Sequence, residues 1–150
     1  FFHPHPANPD PLWSRGLGDV YKRQLLDIAK KYFDLSSAIG YETWIRMSTR
    51  PRDWHRDHDD RLEMTTGELK YPICTTCYYP FVADDVKDGR LCFENGTIVL
   101  PKTNRMVFFG PDVYHNVEKF TGERISILLN PWNEALCQTP CHDPWRRYMV

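Results

Sequence analysis

From Gly40 onward the chain is a succession of short apolar runs, each closed within a few residues by Pro, Gly, Asn or Asp. The runs are Tyr41–Ser48, Tyr71–Tyr79, Gly89–Phe93, Thr97–Leu100, Arg105–Phe109, His115–Phe120 and Arg124–Asn130. Their β-branched and aromatic residues suit a pleated, half-buried surface, and their lengths suit strands. Asn95-Gly96 falls between two of them, a hairpin signal because both residue types tolerate the positive φ of a tight turn. Six or seven strands at such close spacing predict a mainly β fold, as a sandwich, jelly roll or small barrel. Ahead of them Leu25, Leu26, Ile28, Ala29, Tyr32 and Phe33 recur at helical spacing, which predicts one short amphipathic supporting helix.

Composition narrows the class. A chain of 150 residues has room for one compact domain. Nineteen basic residues against 20 acidic ones leave a formal charge of -1, with no field to draw in a polyanion, so no nucleic-acid partner is expected. The longest apolar runs, such as Ile125–Leu129, are strand-sized, and no membrane partner is expected either. Aromatics at 14% with 12 prolines and 8 glycines favour strands joined by stiff turns. Five cysteines, an odd count, leave at least one thiol unpaired, and no signal-like segment opens the sequence. A reduced, intracellular setting is the expectation.

Ser14–Gln24 resembles the in-frame translation of a transposase sequencing adapter, and is read as an assembly scar with Phe1–Trp13 set aside beside it. On that reading residues 1–24 are non-native, the native N-terminus lies outside the chain, and His3 and His5 are not counted as ligands. The domain is then expected over 25–132, followed by a tail over 133–150.

One constellation carries chemistry. In the extended segment Trp54-His55-Arg56-Asp57, a histidine and a carboxylate two apart share a face and can reach one metal ion. His115, at the start of a later predicted strand, is the third candidate. Two histidines and a carboxylate make a facial triad that leaves three positions of an octahedral Fe(II) open. Arg124 and Ser126, again two apart on a strand, point into one cavity. The arginine can clamp a carboxylate through two parallel N–H bonds, and the serine can add a third.

The ordered set resembles the Fe(II)/2-oxoglutarate-dependent dioxygenases, and within them the prolyl-hydroxylase-like branch. It comprises H-x-D at His55–Asp57, C-T-T-C-Y-Y-P at Cys74–Pro80 and G-x-L at Gly89–Leu91. R-h-x-F-F at Arg105–Phe109, H-x-V at His115–Val117 and R-x-S at Arg124–Ser126 complete it. The match runs from about Tyr41 to Trp132. The resemblance implies a double-stranded β-helix, the jelly-roll core of that family. It also implies His55, Asp57 and His115 as iron ligands and Arg124 as the partner of the distal carboxylate of 2-oxoglutarate. Tyr79 would add a hydrogen bond to that carboxylate, and Ser126 fits the R-x-S pattern of other branches. Implied in turn are Fe(II) as cofactor, 2-oxoglutarate and O2 as co-substrates, and hydroxylation of a C–H bond with release of succinate and CO2. The substrate would be a protein side chain or a small molecule. The carboxylate at Asp57 argues against halogenation.

Alternatives remain open at this level. His58 and Asp60 form a second H-x-D three residues on, and the first register is preferred because Trp54 marks the strand end. Cys74 and Cys77 could be half a zinc site, but residues three apart on a strand face opposite sides, so two buried thiols are expected. Cys137, Cys141 and His142 are a weaker zinc hint. Tyr78 is expected to face away from the pocket, and Phe108, Phe109 and Ile127 to be core. Trp44, Arg46 and Asn130 are candidate pocket contacts. Arg50 and Arg52 are read as part of a solvated loop, with steering of an acidic substrate as the alternative. Arg61–Lys70 is read as a lid loop without pattern. A cupin-like metal-binding protein that is no oxygenase, such as an isomerase or a binding module, is the rival reading, and an inactive fragment is the other.

Overall fold

A computed structural model describes residues 17–137 and 147–149 of the chain. It is mainly β, with every strand pairing antiparallel. Helix α1 (Leu17–Ala29) comes first, followed by β1 (Gly40–Arg46), β2 (Arg52–His55), helix α2 (Asp60–Thr66) and β3 (Thr75–Val82). Next come β4 (Lys87–Asp88), β5 (Leu91–Phe93), β6 (Ile98–Val99), β7 (Arg105–Phe109) and β8 (His115–Val117). The last are β9 (Phe120–Thr121), β10 (Arg124–Trp132) and β11 (Arg147–Met149). The large sheet has the order β11-β1-β10-β3-β7, a smaller one β2-β8-β5-β6, and β4 pairs with β9.

The expected hairpin forms. Leu91 and Cys92 pair with Val99 and Ile98, and Gly96 turns the chain at φ +84°. The other runs form strands with shifted ends. The run expected from Tyr71 begins at Thr75, because Pro72 has no N–H to give a ladder. It continues past Pro80 to Val82. Ile125 faces Phe81 while Ile127 faces Tyr78, so Tyr79 and Pro80 form a bulge that absorbs the proline. His115–Phe120 divides into β8 and β9.

Two elements depart further from expectation. Arg61–Lys70 is not a patternless loop. Its first half is α2, whose start is capped by the Asp59 carboxylate on the Leu62 N–H and whose end is closed by Gly67 at φ +76°. Helix α1 begins at Leu17, inside the adapter-like segment, and ends at Ala29 rather than Phe33. Its last five residues carry the buried side chains. Leu25 and Ala29 are buried, Ala29 with Leu35 and Cys74, while Val20 and Tyr21 stay half-exposed, Tyr21 stacking on Tyr78. Helix α1 thus covers the outer face of the large sheet, and the opposite face of β3 is left for the cavity. Arg147–Met149, within the segment read as a tail, pairs with β1. No helix among the described residues is long and apolar enough to cross a membrane.

Candidate metal and oxoanion site

A cavity of about 480 Å³ lies between the two larger sheets, a size ordinary for a small-molecule site. Alternation along the strands decides what faces it. Strand β10 contributes Arg124, Ser126, Leu128 and Asn130, and β3 contributes Cys77 and Tyr79. Strand β1 adds Glu42, Trp44 and Arg46, and the small sheet adds His55, His115 and Val117.

At one end His55, Asp57 and His115 converge, with one ligand atom from each lying within 4.8 Å of the others. His55 and His115 are direct cross-strand partners of β2 and β8, so their rings stand side by side with centroids 4.3 Å apart. Each ring places Nδ1 on a backbone carbonyl, His55 on Asp53 at 2.7 Å and His115 on Val113 at 2.9 Å. With Nδ1 donating, Nε2 keeps its lone pair for a metal. Burial, and then the charge of His115, hold the His55 pKa below its ordinary value, which favours the neutral, ligating ring. Asp57 Oδ1 lies 3.6 Å from His55 Nε2. Its other oxygen accepts from Thr75 Oγ1 at 2.8 Å and from Asn130 Nδ2 at 3.3 Å. Both donors are neutral, so they orient the carboxylate without cancelling its charge.

Phe109, expected in the core, instead lines this end of the cavity, with its ring centroid 4.8 Å from that of His115 and tilted 63° to it. Phe108, on the opposite face of β7, does pack away from the cavity, beside Cys74 and Tyr32.

At the other end Arg124 is 3% exposed. Its Nη1 donates to the Gly89 carbonyl at 2.6 Å, and its guanidinium lies 4.0 Å from the Phe120 ring centroid and 5.5 Å from that of Tyr79. Among the described residues it forms no ion pair. Burial pulls its pKa down, opposed by Tyr79 and Cys77 and by no carboxylate. A desolvated cation–π contact returns about 2 kcal/mol and the Gly89 carbonyl adds one charge-assisted bond, whereas a buried ion costs several kcal/mol to desolvate. The deficit is what an incoming carboxylate would make good. Gly89 creates the room, because at φ +71° a Cβ there would meet Arg124 Nη1 at 2.7 Å.

The remaining candidates sort as follows. Tyr79 is buried and faces the cavity beside Arg124, while Tyr78 turns outward and donates to Asn104 Oδ1 at 2.9 Å. Ser126 lines the cavity and donates to the Arg46 carbonyl at 3.3 Å. Trp44, Arg46, Arg52 and Asn130 all line it; Arg52 is solvent-exposed as expected, but it belongs to β2 and the cavity rim rather than to a loop. The second H-x-D is otherwise engaged. His58 Nε2 pairs with Glu63 at 2.7 Å and lies 3.5 Å from Asp60, within the cap of α2. Cys74, just ahead of β3, and Cys77 on it are free thiols, Cys74 packed against α1 and Cys77 facing the cavity, each pushed up to about 11 by burial. Cys137 is a free thiol whose backbone N–H donates to Asp59. His3, His5, Cys141 and His142 lie outside the described residues.

Sequence reasoning missed Thr75 and any role for Gly89. Thr75 was findable, since it shares the face of Cys77 and Tyr79 at i+2 and i+4. No protein-family model matches the chain, and no curated protein matches it either.

Proposed function

We propose that the chain is an Fe(II)- and 2-oxoglutarate-dependent oxygenase, with its two larger sheets forming a double-stranded β-helix around the site. The observation that carries the reading is the pairing, in one cavity, of an N,N,O ligand set with a buried arginine that has no counter-anion among the described residues. The donor set fits the metal: two neutral imidazoles and one carboxylate suit Fe(II) and leave positions open for a chelating co-substrate. Arg124, with Tyr79 and Ser126 near it, fits the distal carboxylate of a five-carbon keto diacid.

His55, Asp57 and His115 would hold the ion, with Thr75 and Asn130 fixing the carboxylate. Arg124 would anchor 2-oxoglutarate through charge-assisted hydrogen bonds that a neutral pocket could not supply. Phe109, Leu91 and Val117 would keep water from the reacting end. When bound, Fe(II), 2-oxoglutarate and O2 supply the oxidation, a C–H bond being hydroxylated as the keto acid becomes succinate and CO2.

The test is anaerobic addition of Fe(II) and then 2-oxoglutarate to the full chain, followed in the visible. The expected result is the absorption that arises when a keto acid chelates Fe(II), bleached by air as succinate appears. Iron binding without that absorption would favour a cupin-like metal protein instead.

A further inference from the structure

The cavity holds a second arginine that the oxygenase reading leaves without a role. Arg46 lines the wall from β1, and its Nε–H is buried without an acceptor. Its Nη2 is held by two backbone carbonyls, those of Arg50 at 2.9 Å and Pro51 at 3.3 Å. Those contacts fix the guanidinium without neutralising it. Among the described residues Arg46 forms no ion pair, and the charged side chains that bear most on it, Arg52 and Arg124, are positive. Burial and these like charges both work against its cation, as an empty anion site would.

The position separates it from the keto-acid clamp. Arg46 pairs in register with Ser126, so it stands on one side of β10. Tyr79, which borders Arg124, belongs to β3 on the other side. Arg52 follows at the start of β2 and lines the same wall. The acids of the cavity are otherwise committed or distant from this wall. Asp57 is hydrogen-bonded to Thr75 and Asn130, and Asp60 belongs to the first turn of α2 beside His58. Glu42 pairs in register with Asn130, at the opposite end of β1 from Arg46.

We infer that Arg46, with Arg52 beside it, is a second oxyanion-binding point of the cavity, and that the molecule oxidised there carries a carboxylate. This rests on the proposed oxygenase reading for the oxidation and for giving Arg124 to 2-oxoglutarate, whereas the anion contact of Arg46 does not. The carboxylate would belong to a small acid or to an acidic side chain of a peptide. Either would be placed by a charge-assisted, two-pronged contact from Arg46 while the C–H bond to be oxidised lies toward His55 and His115.

The test is equilibrium binding to the full chain loaded with Mn(II) and 2-oxoglutarate, a pair that binds without turnover. The probes are N-acetylglutamate and N-acetylglutamine, then the peptides acetyl-Gly-Glu-Gly-amide and acetyl-Gly-Gln-Gly-amide. The acid of each pair is expected to bind at least tenfold more tightly than its amide, and Arg46→Gln is expected to remove that preference. In the same variant 2-oxoglutarate should bind within twofold of the parent. Preference confined to the free acid points to a small molecule, and preference shown by the peptide points to a protein side chain. Equal binding of acid and amide, or no binding of either, overturns the inference. So does a loss of 2-oxoglutarate affinity in Arg46→Gln as large as that in Arg124→Gln, since both arginines would then hold one keto acid. If the parent binds no 2-oxoglutarate, the oxygenase reading falls, and the same acid–amide comparison without it still decides the role of Arg46. Arg46→Lys, which keeps the charge, should retain part of the preference and serves if the glutamine variant fails to fold.

Discussion

The two ends of the cavity are built alike and charged oppositely. At one end two imidazoles and a carboxylate turn their free lone pairs together, backed by the neutral donors Thr75 and Asn130. At the other a guanidinium is backed by a carbonyl and two aromatic rings, neutral again. In each case the supporting groups orient a reactive side chain and leave its charge or lone pairs unspent. A structural ion pair would have joined opposite charges to each other. Keeping them apart across a cavity is costly for stability, and it is the signature of groups held for something else.

The comparison can be broken most decisively at the metal end. His115→Ala should lower Fe(II) affinity by at least a hundredfold and take 2-oxoglutarate binding with it, measured by equilibrium dialysis; retained turnover would remove the triad. Arg124→Ala should separate the ends, leaving Fe(II) bound while 2-oxoglutarate weakens by roughly a hundredfold or more, the scale of losing a buried charge partner. Its companion Arg124→Met should be more stable than the parent in the absence of co-substrate by about 1–2 kcal/mol, read as a higher melting temperature, because an uncompensated buried cation is removed. A lower melting temperature would mean that the cation–π contacts outweigh the desolvation cost. Gly89→Ala should crowd both Arg124 and Phe120, weakening 2-oxoglutarate about tenfold and destabilising by about 1–3 kcal/mol through that crowding and the positive φ. Smallest, Thr75→Val should lower metal affinity about tenfold and leave the melting temperature within a few degrees, the usual scale for a support behind a ligand.

Part of this site is visible in the one-dimensional pattern because strands write it with a period of two, as Arg124 with Ser126 on β10. His55 with Asp57 has the same spacing, but β2 ends at His55, and Asp57 is brought to the site by its bonds to Thr75 and Asn130. The choice between the two H-x-D frames is less legible, since both satisfy the same spacing. What decides it is Asp59, whose carboxylate starts α2, so that Asp60 enters the first turn and His58, just ahead of the cap, turns its ring onto Glu63 and Asp60. Helix α2 itself escapes notice because it buries nothing: Met64 is 87% exposed, so no apolar stripe announces it. Only its cap residues, Asp59 and Gly67, carry the signal. Phe109 was misplaced for a related reason. A phenylalanine on a strand reads as core, and composition does not say whether the face it packs on borders a cavity.

The anchoring of Asp57 has a mechanical consequence. His55 and His115 belong to the small sheet, whereas Asp57 is tethered to Thr75 on β3 and Asn130 on β10, both in the large one. An ion gripped by all three would act as a rivet between the two sheets. Its occupancy should therefore be readable as rigidity, with about 2.7 kcal/mol of added stability at a hundredfold excess over the dissociation constant. It would add to the ring contacts of Phe109 with Phe93 and His115, which already join the two sheets.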